Sequence, residues 1–486
     1  MSSAIFILYQ LVWLLAYFAG LLWWVGLLQQ KEYRLDRLLA HLRSLSIRQM
    51  ILHLLPVLAV TQPTLFKRPV KTFRAMLLLL ASWLIGTWFV YTLLPWSKAV
   101  PALVVTRSYL VPVLRYMVAP AVVLVLTVLT SGLVWLVTTG YLLGLQRVLS
   151  LKKIFIIGIT GSFGKTTTKQ LLVHMLAQHG AVCTTPGSVN TALGIARYVL
   201  KNLGNAETLV LEYAAYQMDE IARLAAVIPP DMAIITGLGA QHLELFGSKQ
   251  AIAKAKAELL LALPDAAPVF CCSQSAEQVV AMAANKNTLQ ITATWLHPAA
   301  KLLVLPNQYL QVRFAGTQIT TTIIGNHYGN TVLSVVAVSQ QLGLTDKQIV
   351  AGLQTFVPTE KWIRRRTTPF GISVIDDGGT SNPDGFLAAL NLLAEHPQPR
   401  KILLTAGIVD LGSQSRAIHS RLAQAAAVCV SEVWYLGEVG RQAFAEHFPT
   451  NLVTDKQLMI KNLHTVDPQT IILLEGRLPA WLAKYL

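Results

Sequence analysis

Residues Ile154–Leu176 read IFIIGITGSFGKTTTKQLLVHML. An apolar run, a loop holding Gly161 and Gly164, and a Lys165-Thr166-Thr167-Thr168 segment opening a helical pattern outline a nucleotide phosphate cradle. The strict G-x-x-x-x-G-K-[ST] spacing asks for glycine at position 159. The chain has Ile159 there, with Gly158 one place early. A glycine loop between a buried strand and a helix nevertheless aims backbone N–H groups and the helix's positive end at one point, and phosphate suits that point. In GSFGKTTT, Gly161, Ser162 and Gly164 form the turn, Lys165 can reach the β and γ phosphates, and the Thr166 or Thr167 hydroxyl can meet Mg²⁺. A bare G-x-x-G would be an ordinary turn; Gly-Lys-Thr-Thr at a strand-to-helix junction points to a nucleotide site.

Outward from this loop, the 486-residue chain is 53% hydrophobic and 13% charged, too apolar to be wholly soluble. Residues Ile5–Leu28, Ala75–Ser97 and Tyr116–Gln146 are three runs long enough to span a bilayer, the last by tilting or by including an interfacial turn near Pro120. Between the first two, Lys31–Arg74 holds nine basic residues against two acidic ones, close to half of the chain's +16. Such an excess marks a cytoplasmic loop, so the third span returns the chain to the cytoplasm, where Arg147, Lys152 and Lys153 follow. The expectation is a multi-pass membrane protein with its soluble part on the cytoplasmic side, where ATP is. The first run lacks the basic start and small-residue cleavage site of a signal peptide. The positive charge clusters beside the spans, which favours anionic lipid and not nucleic acid as its partner. Ile47–Leu58 reads equally as an amphipathic surface helix or as packing between spans. Cys183, Cys271, Cys272 and Cys429 lack metal-ligand spacing and suit reduced, mostly buried thiols.

After Ser150 short apolar runs at Ile154–Ile157, Thr208–Leu211 and Met232–Ile235 alternate with longer periodic segments, the pattern of a parallel α/β sheet. Lys301–Ile324 switches to strand alternation, a small antiparallel patch, followed by helices at Thr331–Leu342 and Asp346–Phe356. Strands at Ile372–Ile375, Lys401–Leu404, Glu432–Leu436 and Thr470–Leu474 then suggest a second doubly wound domain. The expected organisation is a membrane region over 1–150, a central ATP-binding α/β domain over 151–358 and a Rossmann-like α/β domain over 359–486.

From about Lys153 onward the chain resembles the Mur ligases, within them most closely the branch adding D-alanyl-D-alanine to a UDP-N-acetylmuramoyl tripeptide. These enzymes use G-x-x-G-K-[ST]-[ST], which accounts for Ile159. Further stretches follow in family order: TTPGSVNTALGI with Asn190 and Thr191, VLEYAAYQMDEI with Glu212, TGLGAQHLELFGSKQAIAKAKAELL with His242 and Lys256, GNHYGNTVLSVVAV with His327, and VIDDGGTSNPDG with Asp377 and Asn382. The resemblance implies a two-step reaction: a carboxylate attacks the ATP γ-phosphate, and an amine then displaces phosphate from the acyl phosphate. It implies Lys165, His242 and Lys256 as catalytic groups, with Gly161, Ser162, Gly164, Lys165, Thr166, Thr167, His327 and Asp377 at the nucleotide. It further implies Asn190, Thr191 and Asn382 at the substrates, and two Mg²⁺ held by Thr166, Glu212, His242 and Lys256. In this reading Lys256 is carbamylated. By itself AKAKAEL shows only Lys254 and Lys256 on a helix, with Lys254 placed to pair with Glu258 on a solvated face. Glu212 ends an apolar strand, where a carboxylate needs a partner such as a metal.

The departures concentrate on the adenine and amine sides. The family's uridine-gripping N-terminal domain has no counterpart here, Tyr328 replaces an adenine-side Asn, Gly378, Gly379 and Thr380 replace Ser-Tyr-Asn, and Asp410 stands in AGIVDLG. The arginine opening the C-terminal domain is left open among Lys361 and Arg364–Arg366. The leading expectation is a membrane-anchored ligase of peptidoglycan precursor synthesis taking a muramoyl tripeptide and D-Ala-D-Ala, with other cell-wall proteins as partners. The alternatives are a related ligase acting on another, lipid-linked carboxylate, and a membrane nucleotide-binding scaffold that does not ligate.

Overall fold

The computed structural model describes residues 3–30, 33–35, 38–39, 42, 70, 72–93, 101–239, 243–284, 286, 288–294, 300–379, 382–409, 411–467, 469–476, 479–483 and 485. Ile47–Leu58, most of the basic loop, His242, Thr380 and Asp410 lie outside them. Two compact units divide between Gly140 and Tyr141.

The first unit holds α1 (Ser3–Gln30), α2 (Phe73–Leu93) and most of α3 (Pro101–Lys152). Tyr17 on α1 is buried and its hydroxyl donates to Ser82 O on α2 at 2.9 Å. Gln29 holds Val70 through both its amide and its carbonyl, and the Arg74 guanidinium donates to Ser131 Oγ at 2.7 Å. Among the described residues two helices, Ile7–Gln30 and Met117–Lys152, are long and apolar enough to cross a membrane by length and composition. Of the two readings left open at Pro120, the interfacial turn does not form: α3 runs unbroken through Pro112 and Pro120.

The second unit begins inside α3. Leu145 and Leu149 are buried in the same core as Ile156, Ile195, Val199 and Leu203, and Lys152 Nζ donates to Gly204 O at 2.6 Å. The helix end is therefore part of the α/β body, ten residues before the boundary expected at Ser150. A fragment starting at Lys153 would uncover two leucine sites and lose about 3–6 kcal/mol against one starting at Tyr141; denaturant titration of the two fragments measures it.

The central sheet is parallel, in the order β2-β3-β1-β4-β5-β6. Its strands are β1 (Phe155–Thr160), β2 (Val182–Thr184), β3 (Thr208–Glu212), β4 (Met232–Ile235), β5 (Pro268–Cys271) and β6 (Gln290–Ala293). Helices α4 (Lys165–Leu176), α5 (Ala192–Asn202), α6 (Glu220–Val227) and α7 (Lys249–Leu261) flank it. Residues alternate across β1: Ile157 and Ile159 pack with Leu171, Leu172 and Met175 of α4, while Ile156 faces the core of α5, α6 and α7. Gly158, the glycine one place early, has a packing role. A Cβ there would lie 3.1 Å from Leu259 of α7 and 3.2 Å from Tyr213.

A three-stranded antiparallel sheet of β7 (Ala300–Val304), β8 (Tyr309–Phe314) and β9 (Thr317–Ile324) follows, then α8 (Gly329–Gln341) and α9 (Asp346–Thr355). The last domain is a six-stranded sheet in the order β10-β11-β15-β12-β13-β14. It contains β10 (Arg364–Thr367), β11 (Ser373–Asp377), β12 (Arg400–Thr405), β13 (Glu432–Tyr435), β14 (Leu452–Val453) and β15 (Thr470–Glu475), with only β10 antiparallel. Helix α10 (Pro383–Ala394) starts with Asn382 as its N-cap, whose side chain accepts from Gly385 N at 2.9 Å. Leu310, Val312 and Phe314 share one core with Phe386, Leu390 and Leu393, so the small sheet joins the two domains.

Candidate active site

The phosphate-type loop closes against the end of β4. Gly161 has φ 152°, and a Cβ there would fall 1.9 Å from Thr236 Oγ1, so no other residue fits. Ser162 N donates to Gly237 O at 2.8 Å, and the Thr236 hydroxyl donates to Phe163 O. Gly164, at φ 76°, turns the chain into α4. Lys165 Nζ donates to Gly161 O at 2.6 Å. Burial lowers its pKa, and Glu212 opposes that shift.

The three hydroxyls of the loop differ in what they have left to offer. Ser162 is buried and its hydroxyl reaches Gly239 O at 3.3 Å, and Thr167 donates to Gly164 O at 2.9 Å. Both are spent on the turn. The half-buried Thr166 donates its hydroxyl to Glu212 Oε2 at 3.2 Å and lies 3.3 Å from Ser188 Oγ.

Glu212 is 1% exposed, and its partner is one that sequence reading missed. Lys169 Nζ lies 2.9 Å from Glu212 Oε1, with both side chains buried, and it donates to Thr185 O at 2.9 Å and Gly187 O at 2.7 Å. The one signal for it was its place one helical turn after Lys165. The Oε1 atom has this Coulombic neighbour but no donor in hydrogen-bond geometry. A carboxylate with one unspent oxygen beside a threonine hydroxyl fits Mg²⁺, which takes one or two protein oxygens and completes its shell with waters and phosphates. Among the described residues no three His, Cys, Asp or Glu side chains gather as a metal site. Replacing Lys169 by methionine strands the buried carboxylate and should cost about 3–5 kcal/mol. Thermal denaturation should show the loss, smaller with Mg²⁺ and nucleotide present.

On α7 the two lysines separate. Lys254 is exposed, while Lys256 is 5% exposed. Its pKa lies well below the ordinary lysine value, because burial disfavours the charged form and the Lys165 ammonium adds to that. The expected Lys254–Glu258 surface pair does not form: Glu258 is buried and accepts from Asp219 N at 2.7 Å and Ala222 N at 3.0 Å, capping α6. Helix starts leave N–H groups without partners, and the internal Glu258 carboxylate accepts from two of them.

Thr191 serves as the N-cap of α5, accepting from Gly194 N at 3.3 Å; Asn190 precedes it, half-buried. His327 is exposed, and its ring lies tilted at 45° against that of Tyr328 with centroids 4.0 Å apart. Tyr328 itself is buried: its ring lies 4.5 Å from Trp362 and its hydroxyl accepts from Ile363 N at 2.9 Å. Trp362 Nε1 and the Thr359 hydroxyl both donate to Gln170 Oε1 on α4, each at 2.9 Å. The substitution at Tyr328 thus fastens the interdomain linker, through Trp362, to the phosphate-loop helix. Asp377, buried at the end of β11, is pushed up to about 6 by burial, against a hydrogen bond with Glu475 that lowers it. Of the basic candidates, Arg364 and Arg366 pair with Asp376 at 3.8 and 2.9 Å, Arg365 bonds Gln308, and Lys361 Nζ donates to Gly379 O at 3.1 Å. Helix α10 approaches the loop after β4, where a Cβ on Gly239 would lie 2.9 Å from Asp384 Oδ2.

Residues 159–338 match the Mur ligase middle domain and residues 363–478 the Mur ligase glutamate ligase domain. The chain belongs to the Mur ligase family. It is 32% identical over 306 residues to a UDP-N-acetylmuramoyl-tripeptide--D-alanyl-D-alanine ligase of Mycobacterium tuberculosis, a match covering 60% of each chain. The matched part therefore spans about three fifths of that relative's length. In structure it is similar to MurF of Acinetobacter baumannii, at TM-score 0.62 and 23% identity over 70% of this chain and 77% of that one. It is also similar to the Thermotoga maritima MurF ligase in complex with ADP, at TM-score 0.60 and 20% identity over 70% and 80%. At these identities the structural likeness concerns the fold.

Proposed function

We propose that the chain is an ATP-dependent amide ligase of peptidoglycan precursor synthesis that adds D-alanyl-D-alanine to a UDP-N-acetylmuramoyl tripeptide. Its apolar helices would hold it at the inner membrane with the catalytic unit in the cytoplasm. The observation that carries the reading is the meeting of Lys165, Thr166, Glu212 and Lys256 beside one glycine loop.

The acceptor carboxylate attacks the γ-phosphorus and ADP leaves; the amine then attacks the acyl carbon, loses a proton and expels phosphate. Charge gathers on phosphoryl oxygens in both steps, so fixed donors and cations carry the catalysis. Lys165 and the loop N–H groups face those oxygens. Thr166 and Glu212 would hold Mg²⁺, which supplies positive charge to the same oxygens. Burial favours the neutral amine of Lys256, the form that adds to CO₂ with loss of a proton to give a carbamate. That carbamate, together with His242, would support a second metal. A scaffold that only bound nucleotide would have no use for a buried lysine behind the loop.

Detergent-solubilised protein with ATP, Mg²⁺, UDP-muramoyl tripeptide and D-Ala-D-Ala should release phosphate only when both substrates are present. Release without the amine would sink the ligase reading. The two long apolar helices favour a second reading, a lipid-linked acceptor. Turnover with such an acceptor and none with the UDP-linked one would select it.

A further inference from the structure

Glu212 already has a cation beside it, and that cation is anchored without its help. Lys169 Nζ sits 2.9 Å from Glu212 Oε1, the two side chains being 2% and 1% exposed. Its directed bonds go elsewhere: it donates to Thr185 O at 2.9 Å and to Gly187 O at 2.7 Å, while Oε1 receives no donor in hydrogen-bond geometry. The base of the side chain is fixed too, since Lys169 is one of the buried residues of α4. The ammonium therefore keeps its place whichever partner the carboxylate takes, and charge alone joins the two groups. From its other neighbours Glu212 receives the Thr166 hydroxyl on Oε2 at 3.2 Å, and it favours the charged form of Lys165.

A fixed, buried cation acts on whatever approaches its neighbour. The oxygen of Glu212 that lacks a donor is the one the Lys169 ammonium faces, so a metal that takes it meets this charge directly. Charges that water does not screen interact several times more strongly than they do at an open surface. A divalent ion arriving alone meets one carboxylate between two ammonium groups, a balance that repels it. The phosphates of a nucleotide reverse the sign. We infer that Lys169 governs when the metal loads: fixed to the Thr185 and Gly187 carbonyls, it stands in for the metal beside Glu212 and keeps a divalent cation out until phosphate is present. It acts through Glu212 and touches no substrate. A metal held in this way comes and goes with the nucleotide and is no permanent part of the protein. The assignment rests on the ligase reading for its nucleotide site and adds to it the order in which that site fills.

Full-length protein in detergent is titrated with Mn²⁺ in the absence of nucleotide, the free ion being followed by electron paramagnetic resonance. Lys169→Met is expected to bind Mn²⁺ about tenfold or more tightly than wild type, because the carboxylate loses its competing cation. The double variant Lys169→Met/Glu212→Gln loses this gain, which places the ion on Glu212. A lysine that only supported the fold would give the opposite sign, since a loosened carboxylate holds a metal less well. Unchanged or weaker Mn²⁺ binding in Lys169→Met overturns the assignment, and so does a gain that survives in the double variant. A second comparison needs no stranded carboxylate and covers the case in which Lys169→Met does not fold. With EDTA present, calorimetry should show β,γ-methylene ATP binding Glu212→Gln about tenfold more tightly than the double variant, the two differing only in the ammonium at position 169. Equal affinities overturn the assignment. Wild-type protein that binds no analogue even with Mg²⁺ defeats the ligase reading itself, while the Mn²⁺ comparison still decides the role of Lys169.

Discussion

Lys165→Ala is expected to reduce phosphate release by about 10³-fold or more, since it removes a preorganised cation from a site that gathers negative charge. The side chain is held for this role. Its Nζ bonds Gly161 O at 2.6 Å, next to the backbone turn that would cradle phosphate, and Glu212 favours its charged form against burial. Arginine should not rescue it, because a planar guanidinium cannot occupy the space of a compact ammonium beneath a tight loop. Single-turnover phosphate release with both substrates measures the loss. Turnover within about tenfold of wild type would remove Lys165 from the phosphoryl-transfer step.

Lys256→Met should separate activity from stability. Turnover falls by about 10²-fold or more if the carbamate supports catalysis, whereas Lys254→Met, at an exposed position, leaves it nearly unchanged. In buffer freed of CO₂, stability rises by about 1–3 kcal/mol, because a buried amine facing the Lys165 ammonium is replaced by an apolar chain of similar length. The sign of the pH dependence follows from the lowered pKa. Below about 10.4 the unfolded chain binds the proton more readily than the folded one, so wild-type stability climbs as pH rises towards that value, and the methionine variant loses this climb. Parallel denaturation curves at two pH values, with activity assayed with and without bicarbonate, test both halves. Equal losses of activity at the two lysines would dissolve the distinction between them.

Much of the α/β architecture is legible in the chain because it is written locally. The run Ile154–Thr160, the glycines after it and the periodic segment beyond make strand, loop and helix through contacts a few residues apart. The same holds for the alternation that became β8 and β9. Short edge strands escaped notice: β2, with three residues, and β14, with two, are too brief for a period to show. Strand β10, made of Arg364-Arg365-Arg366-Thr367, reads as a charge run. It is a strand because its arginines find Asp376 on one side and Gln308 on the other.

The sequence by itself determined that a phosphate-type loop joins a parallel α/β body, that a second such domain follows, and that apolar helices precede both. Backbone preference and hydrophobic period act over short distances, and the order of motifs needs no third dimension. The tertiary structure decided which of several equivalent side chains serves the site. Thr166 gives its hydroxyl to Glu212 while Thr167 spends its own on Gly164, Lys256 is buried while Lys254 is exposed, and Glu212 finds Lys169. It also decided that the end of α3 belongs to the α/β core. Most of these outcomes depend on burial and on distant partners, 46 residues from Thr166 to Glu212 and 52 from Lys152 to Gly204, and desolvation, which sets the cost of a charge, exists only once the chain has closed around it.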